Sequence, residues 1–267
     1  MPLSAADNTA MPLAIVRGGG DLATGVVYRL WKVGFTVVVL ETDKPTAIRR
    51  MVSVAQAVFD KTHAVDGMTA ALIDAPGDVP AGDVGVLVDP MGGSISAFKP
   101  DLLVDAIMAK KNCGTKKDMA ARVIALGPGF DASSDAHAVV ETMRGHDMGR
   151  VILRGSAAPN TEIPGEIKGE TGLRVIYSPG KGHFEAEVQI GEAVRAGQLI
   201  GRVEGKLVYA GIGGILRGLI HPLVTVVPGM KIGDIDPRAR RENCFSISDK
   251  ALAIGGGVLE AALGPQD

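Results

Sequence analysis

Residues 13–41, LAIVRGGGDLATGVVYRLWKVGFTVVVLE, constrain the fold more than any other part of the chain. Leu13 to Val16 is a short apolar run that ends in Arg17 and three consecutive glycines. Leu22, Val26, Leu30 and Val33 then recur at helical spacing, and Gly34 ends that helix. Thr36 to Leu40 is a continuous, mostly β-branched run of the kind buried on both faces of a parallel sheet. The pattern predicts a strand, a tight turn, a helix and a second strand, which is a βαβ unit.

The turn itself fits a dinucleotide fingerprint, Gly18-x-Gly20-x-x-Ala23. The first glycine allows the tight turn, the second lets backbone N–H groups approach a phosphate, and the small third residue permits close helix–strand packing. A pyrophosphate would sit at the helix N-terminus, where unpaired N–H groups and the helix dipole favour an anion. Glu41 closes the second strand, near the position at which an acid takes ribose hydroxyls. Gly18, Gly19, Gly20, Asp21, Leu22, Ala23, Thr24 and Glu41 are therefore expected to bind a nucleotide, NAD-like in type. Lys44, Arg49 and Arg50 leave a phosphorylated ribose open. The alternative is a ligand-free tight turn with Glu41 as an ordinary surface acid.

Further along, Val84–Val88 and Arg122–Leu126 read as strands, and Val151–Leu153 as one more. Helices are predicted over 100–111 and 133–143. This alternation predicts an α/β fold, a Rossmann-like parallel sheet, over 13–162. From 163 to 240 glycines recur between short β runs, predicting a small all-β module of barrel-sandwich hybrid type. Residues 241–267 return to helix, expected to pack back on the first domain, and 1–12 read as a disordered leader. Ligands bind beyond the carboxyl ends of parallel strands. Asp89 and the turn Gly127-Pro128-Gly129-Phe130 are thus added to the expected cofactor site. His137 and Glu141, four apart on the predicted helix, share a face, with Arg144 and His146 following. These four are the candidate catalytic residues, for proton transfer or for holding an acidic ligand. No metal set is expected, and His63, His183 and His221 read as structural.

Charge and cysteine usage narrow the partners. There are 28 basic and 30 acidic residues, well mixed, so no nucleic-acid partner is expected. No apolar run reaches membrane-span length, and the first residues lack a signal-peptide pattern. Cys113 and Cys244, far apart, fit a reducing compartment, and the chain is expected to be cytoplasmic. A homodimer is expected on general grounds.

A wider pattern joins several segments: VIALGPGFDASSDAHAVVETMRGHDMGRVI at 123–152, Pro159-Asn160-Thr161, Arg217-Gly218-Leu219, KIGDIDPR at 231–238 and ISDKALAIGGG at 247–257. Together they resemble the bacterial maturation proteins of selenium-dependent molybdenum hydroxylases, relatives of the xanthine dehydrogenase accessory proteins. The resemblance implies a cytoplasmic accessory protein that handles a nucleotide or the molybdenum cofactor and meets a hydroxylase apoprotein. The competing readings are an NAD-dependent oxidoreductase of a small metabolite and a non-catalytic cofactor chaperone. Residues 191–200 and 226–233 also resemble the paired hairpins of biotinyl and lipoyl carriers, with Lys206 between them. The residues flanking Lys206 depart from the biotin pattern, which leaves a β scaffold as the reading, with Arg217, His221 and 236–238 lining a cleft.

Overall fold

The computed structural model describes residues 11–160 and 172–264; most of the expected leader, Thr161 and the expected boundary at 162–163 lie outside them. β1 (Leu13–Arg17) leads through the glycine turn into α1 (Asp21–Lys32) and back to β2 (Thr36–Glu41). β1 and β2 pair in parallel, with Leu13 beside Thr36 and Arg17 beside Leu40. On the β2 side the sheet is extended by β3 (Thr62–Val65), β4 (Met68–Ile73) and β5 (Val84–Val88), with the short helix α2 (Ala57–Asp60) leading into β3. After the short helix α3 (Ile95–Phe98), the β1 side adds β6 (Leu102–Asp105), β7 (Arg122–Leu126), β8 (Ala138–Val140) and β9 (Val151–Ile152). The order is β3-β4-β5-β2-β1-β6-β7-β8-β9. From β4 to β8 the strands are parallel, while β3 on β4 and β9 on β8 run antiparallel.

Residues 175–236 build two antiparallel sheets. Their strands are β10 (Val175–Tyr177), β11 (Gly182–Ala186), β12 (Ala193–Val194), β13 (Leu199–Val203), β14 (Lys206–Tyr209), β15 (Gly214–Leu219), β16 (Thr225–Val226) and β17 (Lys231–Asp236). The sheet orders are β10-β17-β15-β12 and β14-β13-β11-β16. Both face one apolar core that contains Phe184, Ile200, Leu216, Ile232 and Ile235. Ile48 and Phe59, from the first part of the chain, pack against that core. Phe59 also stacks on His221, with ring centroids 3.7 Å apart and planes 4° from parallel.

The expected fold class is corrected. A mixed nine-stranded sheet stands in place of a Rossmann-like parallel sheet, and it is followed by two four-stranded antiparallel sheets rather than by a barrel-sandwich module. Two helices read from the sequence do not form. Within 100–111, Leu102–Asp105 is fully buried as β6 between β1 and β7. Met108 and Lys110 have φ of +61° and +63°, which no right-handed helix accepts. Within 133–143, Ala138–Val140 is the buried strand β8. Just before it, the Asp131 carboxylate accepts from the Ser133 N–H and the Asp135 carboxylate from the Asp131 N–H. Such local side-chain bonds compete with a helix for the same N–H groups.

One face of the large sheet is covered by α1 and by α4 (Asp249–Leu263), the other by α3 and loops that include Phe130 and Ala136. α1 and α4 meet almost backbone to backbone. A Cβ on Gly25 would lie 2.3 Å from the Ala251 carbonyl oxygen, and one on Gly255 would lie 2.4 Å from the Gly25 carbonyl oxygen. Residue 29 also packs on Gly255, so residue numbers rise together along the contact and the helices run in the same direction. Their N-termini therefore open at one place.

Candidate anion-binding cleft

That place is a cleft of about 890 Å³ between the carboxyl edge of the large sheet and the antiparallel sheets. Asp21 and Leu22 of α1 and Ser248, Asp249 and Lys250 of α4 line its floor. The Ser248 side chain accepts from the Ala251 N–H, whereas α1 has no side-chain cap. The α1 N-terminus thus faces the cleft with N–H groups available to an anion.

One wall is cationic. Arg49, Arg174, Arg217, Lys231 and Arg238 line it, and Lys110 and Arg144 reach the cleft from the loops at the edge of the large sheet. Several are held by acids. Arg49 pairs with Asp21 at 2.9 Å, Arg144 with Asp249 at 3.1 Å, and Arg174 with Asp234. Arg238 grips Asp236 through Nε at 2.9 Å and Nη2 at 2.6 Å. Arg217 is different. It is 8% exposed, and its nearest acid oxygen is on Asp236 at 3.8 Å, beyond hydrogen-bond reach; its Nε, like that of Arg49, has no hydrogen-bond partner among the described residues. Burial and the neighbouring Arg49 pull its pKa down. Burial also lowers the ammonium pKa values of Lys231 and Lys250, the latter helped by repulsion from Arg144. These two lysines are the cleft groups best suited to proton transfer. A second cavity of about 490 Å³ adjoins the first and shares Arg217, Arg238, Ser248 and Asp249 with it. The loops at the edge of the large sheet add Met108, Pro128 and Met143, interleaved with Lys110, Glu141 and Arg144.

Residues expected from the sequence fall in several places. The Gly18 N–H donates to the Leu40 carbonyl, and a Cβ on Gly18 (φ +91°) would lie 2.9 Å from the Ala106 carbonyl oxygen. Gly19 packs on Ala55 and donates its N–H to Glu41 Oε2 at 2.7 Å. Glu41 accepts the Thr42 N–H with its other oxygen, and burial raises its pKa against the pull of those two bonds. The protein's own carboxylate thus occupies the turn. Gly20 faces open space. Ala23 is buried, and the Thr24 hydroxyl donates to the Gly20 carbonyl and accepts the Val54 N–H. Asp89 binds Gly93 and Ser94 within its own loop and does not line the cleft. Pro128 does line it, but Gly127 and Gly129 pack closely on Thr142 and Lys111, and Phe130 is core.

His137 and Glu141 share no helix face, because they flank opposite ends of β8. His137 Nδ1 accepts the Val123 N–H at the far edge of the sheet, and burial lowers its pKa. Glu141 lines the cleft but holds the backbone N–H groups of Met143 and Ala158. Arg144 lines the cleft, and His146 is exposed outside it. Of the four catalytic candidates, only Glu141 and Arg144 meet. The sequence reading missed Arg174, Asp234 and Lys250 as site residues. A signal existed: Asp234 and Asp236 lie two apart on one apolar strand, hence on one face, and buried carboxylates require cationic partners.

No family model matches the chain. A protein of Escherichia coli K12 described as "Uncharacterized protein YqeB" is 47% identical over 255 residues, covering 94% of this chain and 47% of that protein. The chain thus spans about half the length of the curated relative it matches. Three solved structures align over most of both chains. The ectoine utilization protein EutE (DoeB) of Ruegeria pomeroyi is 12% identical over 86% of each chain, with a TM-score of 0.25. An aspartoacylase family protein of Mesorhizobium loti is 9% identical over 85% of each, with a TM-score of 0.28. A succinylglutamate desuccinylase/aspartoacylase of Rhodobacter sphaeroides is 14% identical over 85% of each, with a TM-score of 0.27. Scores this low carry no argument about the reaction. None of these proteins is named for molybdenum or selenium, and the expected role in hydroxylase maturation is corrected and withdrawn. No helix among the described residues is long and apolar enough to cross a membrane.

Proposed function

We propose that this protein recognises a small polyanion, phosphate-bearing by preference, in the cleft between its two parts. The nucleotide expected from the glycine turn is one member of that class. Arg217 carries the reading. Its guanidinium is nearly buried, yet no acid oxygen lies within hydrogen-bond distance of it, and a buried charge left without a close partner is costly. Arg217 lines the cleft with its Nη1 at 3.8 Å from the nearest acid oxygen, beyond hydrogen-bond reach, and the fork geometry of guanidinium matches a phosphoryl group. The α1 N–H groups and Lys231 and Lys250 add to the same positive field.

Isothermal calorimetry with inorganic pyrophosphate at low ionic strength tests this. Binding is expected, weakening as salt rises because the field is screened. Arg217→Met is expected to weaken it at least tenfold, the loss of one charge-assisted hydrogen bond. Absence of pyrophosphate binding by the wild-type chain would refute the proposal.

A further inference from the structure

The antiparallel sheets line the cleft with cations, whereas the loops at the edge of the large sheet bring the exposed methionines, and that difference narrows the ligand. On the cationic side Arg217 shares Asp236 with Arg238, and Lys231 shares Asp234 with Arg174. Among the described residues Lys110 and Lys250 line the cleft without an acid at ion-pair distance, and Glu141 is committed to backbone N–H groups. Among the described residues the excess is about three positive charges in a confined space, which favours a multiply charged anion. From the sheet-edge loops, Met143, 38% exposed, lines the cleft with Met108 and Pro128, among Lys110, Glu141 and Arg144. Exposed methionine beside a cationic surface is a poor surface for water and a good one for an apolar group.

Resting on the polyanion reading above, we propose that the ligand is an organic phosphate of two to three negative charges with an apolar body. Its phosphoryl end sits on Arg217 above the α1 and α4 N-termini, and its body lies along Met108, Pro128 and Met143. Inorganic anions fill half of this site and polar phosphate esters gain nothing from the methionines.

Calorimetry on the full chain with four probes decides it: pyrophosphate, citrate, glycerol 3-phosphate and 1-naphthyl phosphate. The two phosphate monoesters carry the same charge and differ in the body. 1-Naphthyl phosphate is expected to bind at least tenfold tighter than glycerol 3-phosphate, and pyrophosphate tighter than citrate. Met143→Ser and Met108→Ser, each checked for an unchanged unfolding midpoint, are expected to bring the ratio of the two monoesters towards one. Equal monoester affinities in the wild type, with pyrophosphate still binding, would overturn the apolar body and leave the polyanion reading standing. Citrate binding tighter than pyrophosphate would overturn the phosphate preference. If pyrophosphate does not bind, the polyanion reading itself falls.

Discussion

Gly25 sits where α1 touches α4, and Gly25→Ala is the most direct perturbation of the cleft that leaves every lining side chain in place. The added Cβ would lie 2.3 Å from the Ala251 carbonyl oxygen and 2.7 Å from the Ala251 Cβ. Ordinary contact needs about 3.5 Å, so the helices must part by about 1 Å. Neither touching atom is the end of a flexible side chain, so the strain falls on two helix backbones. Alanine regains about 1 kcal/mol of helix propensity. Overpacking of a rigid contact costs about 1–3 kcal/mol, and backbone contact lies at the upper end. The expected net loss is about 2 kcal/mol, or about 4–8 °C in Tm for a chain of this size. Urea denaturation with parallel pyrophosphate calorimetry measures both consequences. The midpoint should fall, and affinity should fall with it, because the two N-termini no longer meet at one spacing. A variant as stable as the wild type, or more so, would refute the packing argument.

Other expectations follow from single residues. Arg217→Met should leave the unfolding free energy within about 1 kcal/mol of wild type or raise it, since an unsatisfied buried donor is removed while Arg238 keeps Asp236 paired; a loss above about 3 kcal/mol would show a structural arginine instead. Burial alone would raise the pKa of Asp236, but its bonds to Arg238 and the Arg217 charge outweigh that and hold it low. The stability it contributes is therefore complete above the ordinary aspartate value of 3.8 and is lost as pH falls through its depressed one. Asp236→Asn should cost about 3–5 kcal/mol at neutral pH, with the gap to wild type closing in acid, and a pH-independent gap in denaturation curves would contradict this. Burial raises the pKa of the Cys244 thiol, and Cys244 is 1% exposed, whereas Cys113 is partly exposed. A chromogenic disulfide reagent should titrate one thiol in the native chain and both in denaturant; two fast thiols in the native state would contradict the packing around Cys244.

How much of this was legible in the sequence depended on whether the signal was local. β1, α1 and β2 stand where residues 13–41 place them, because three apolar periods and a glycine turn point the same way. The segments 100–111 and 133–143 misled because their alanines and aliphatics satisfy a helical period while the sheet centre claims Leu102–Asp105 and Ala138–Val140 as strands. The spacing of His137 and Glu141 lost its meaning with that helix. Glu41 is in the turn, but its carboxylate points back to the Gly19 and Thr42 N–H groups, a choice of rotamer that spacing does not encode. The cationic wall was least visible. Arg49, Arg174, Arg217 and Lys231 are scattered along the chain, and only the sheet packing brings them together.

The parallel contact of α1 with α4 has a consequence for how the protein is made. Gly25 emerges from the ribosome early, whereas Gly255 is added late, after every strand of both antiparallel sheets. Until then α1 leaves open the apolar groove that α4 will fill, and the positive end of the cleft has only one of its two helices. Competence to hold an anion therefore arises in a single late step and not gradually. A ligand present during refolding would act on that last closure, and pyrophosphate should slow unfolding more than it speeds the formation of the large sheet.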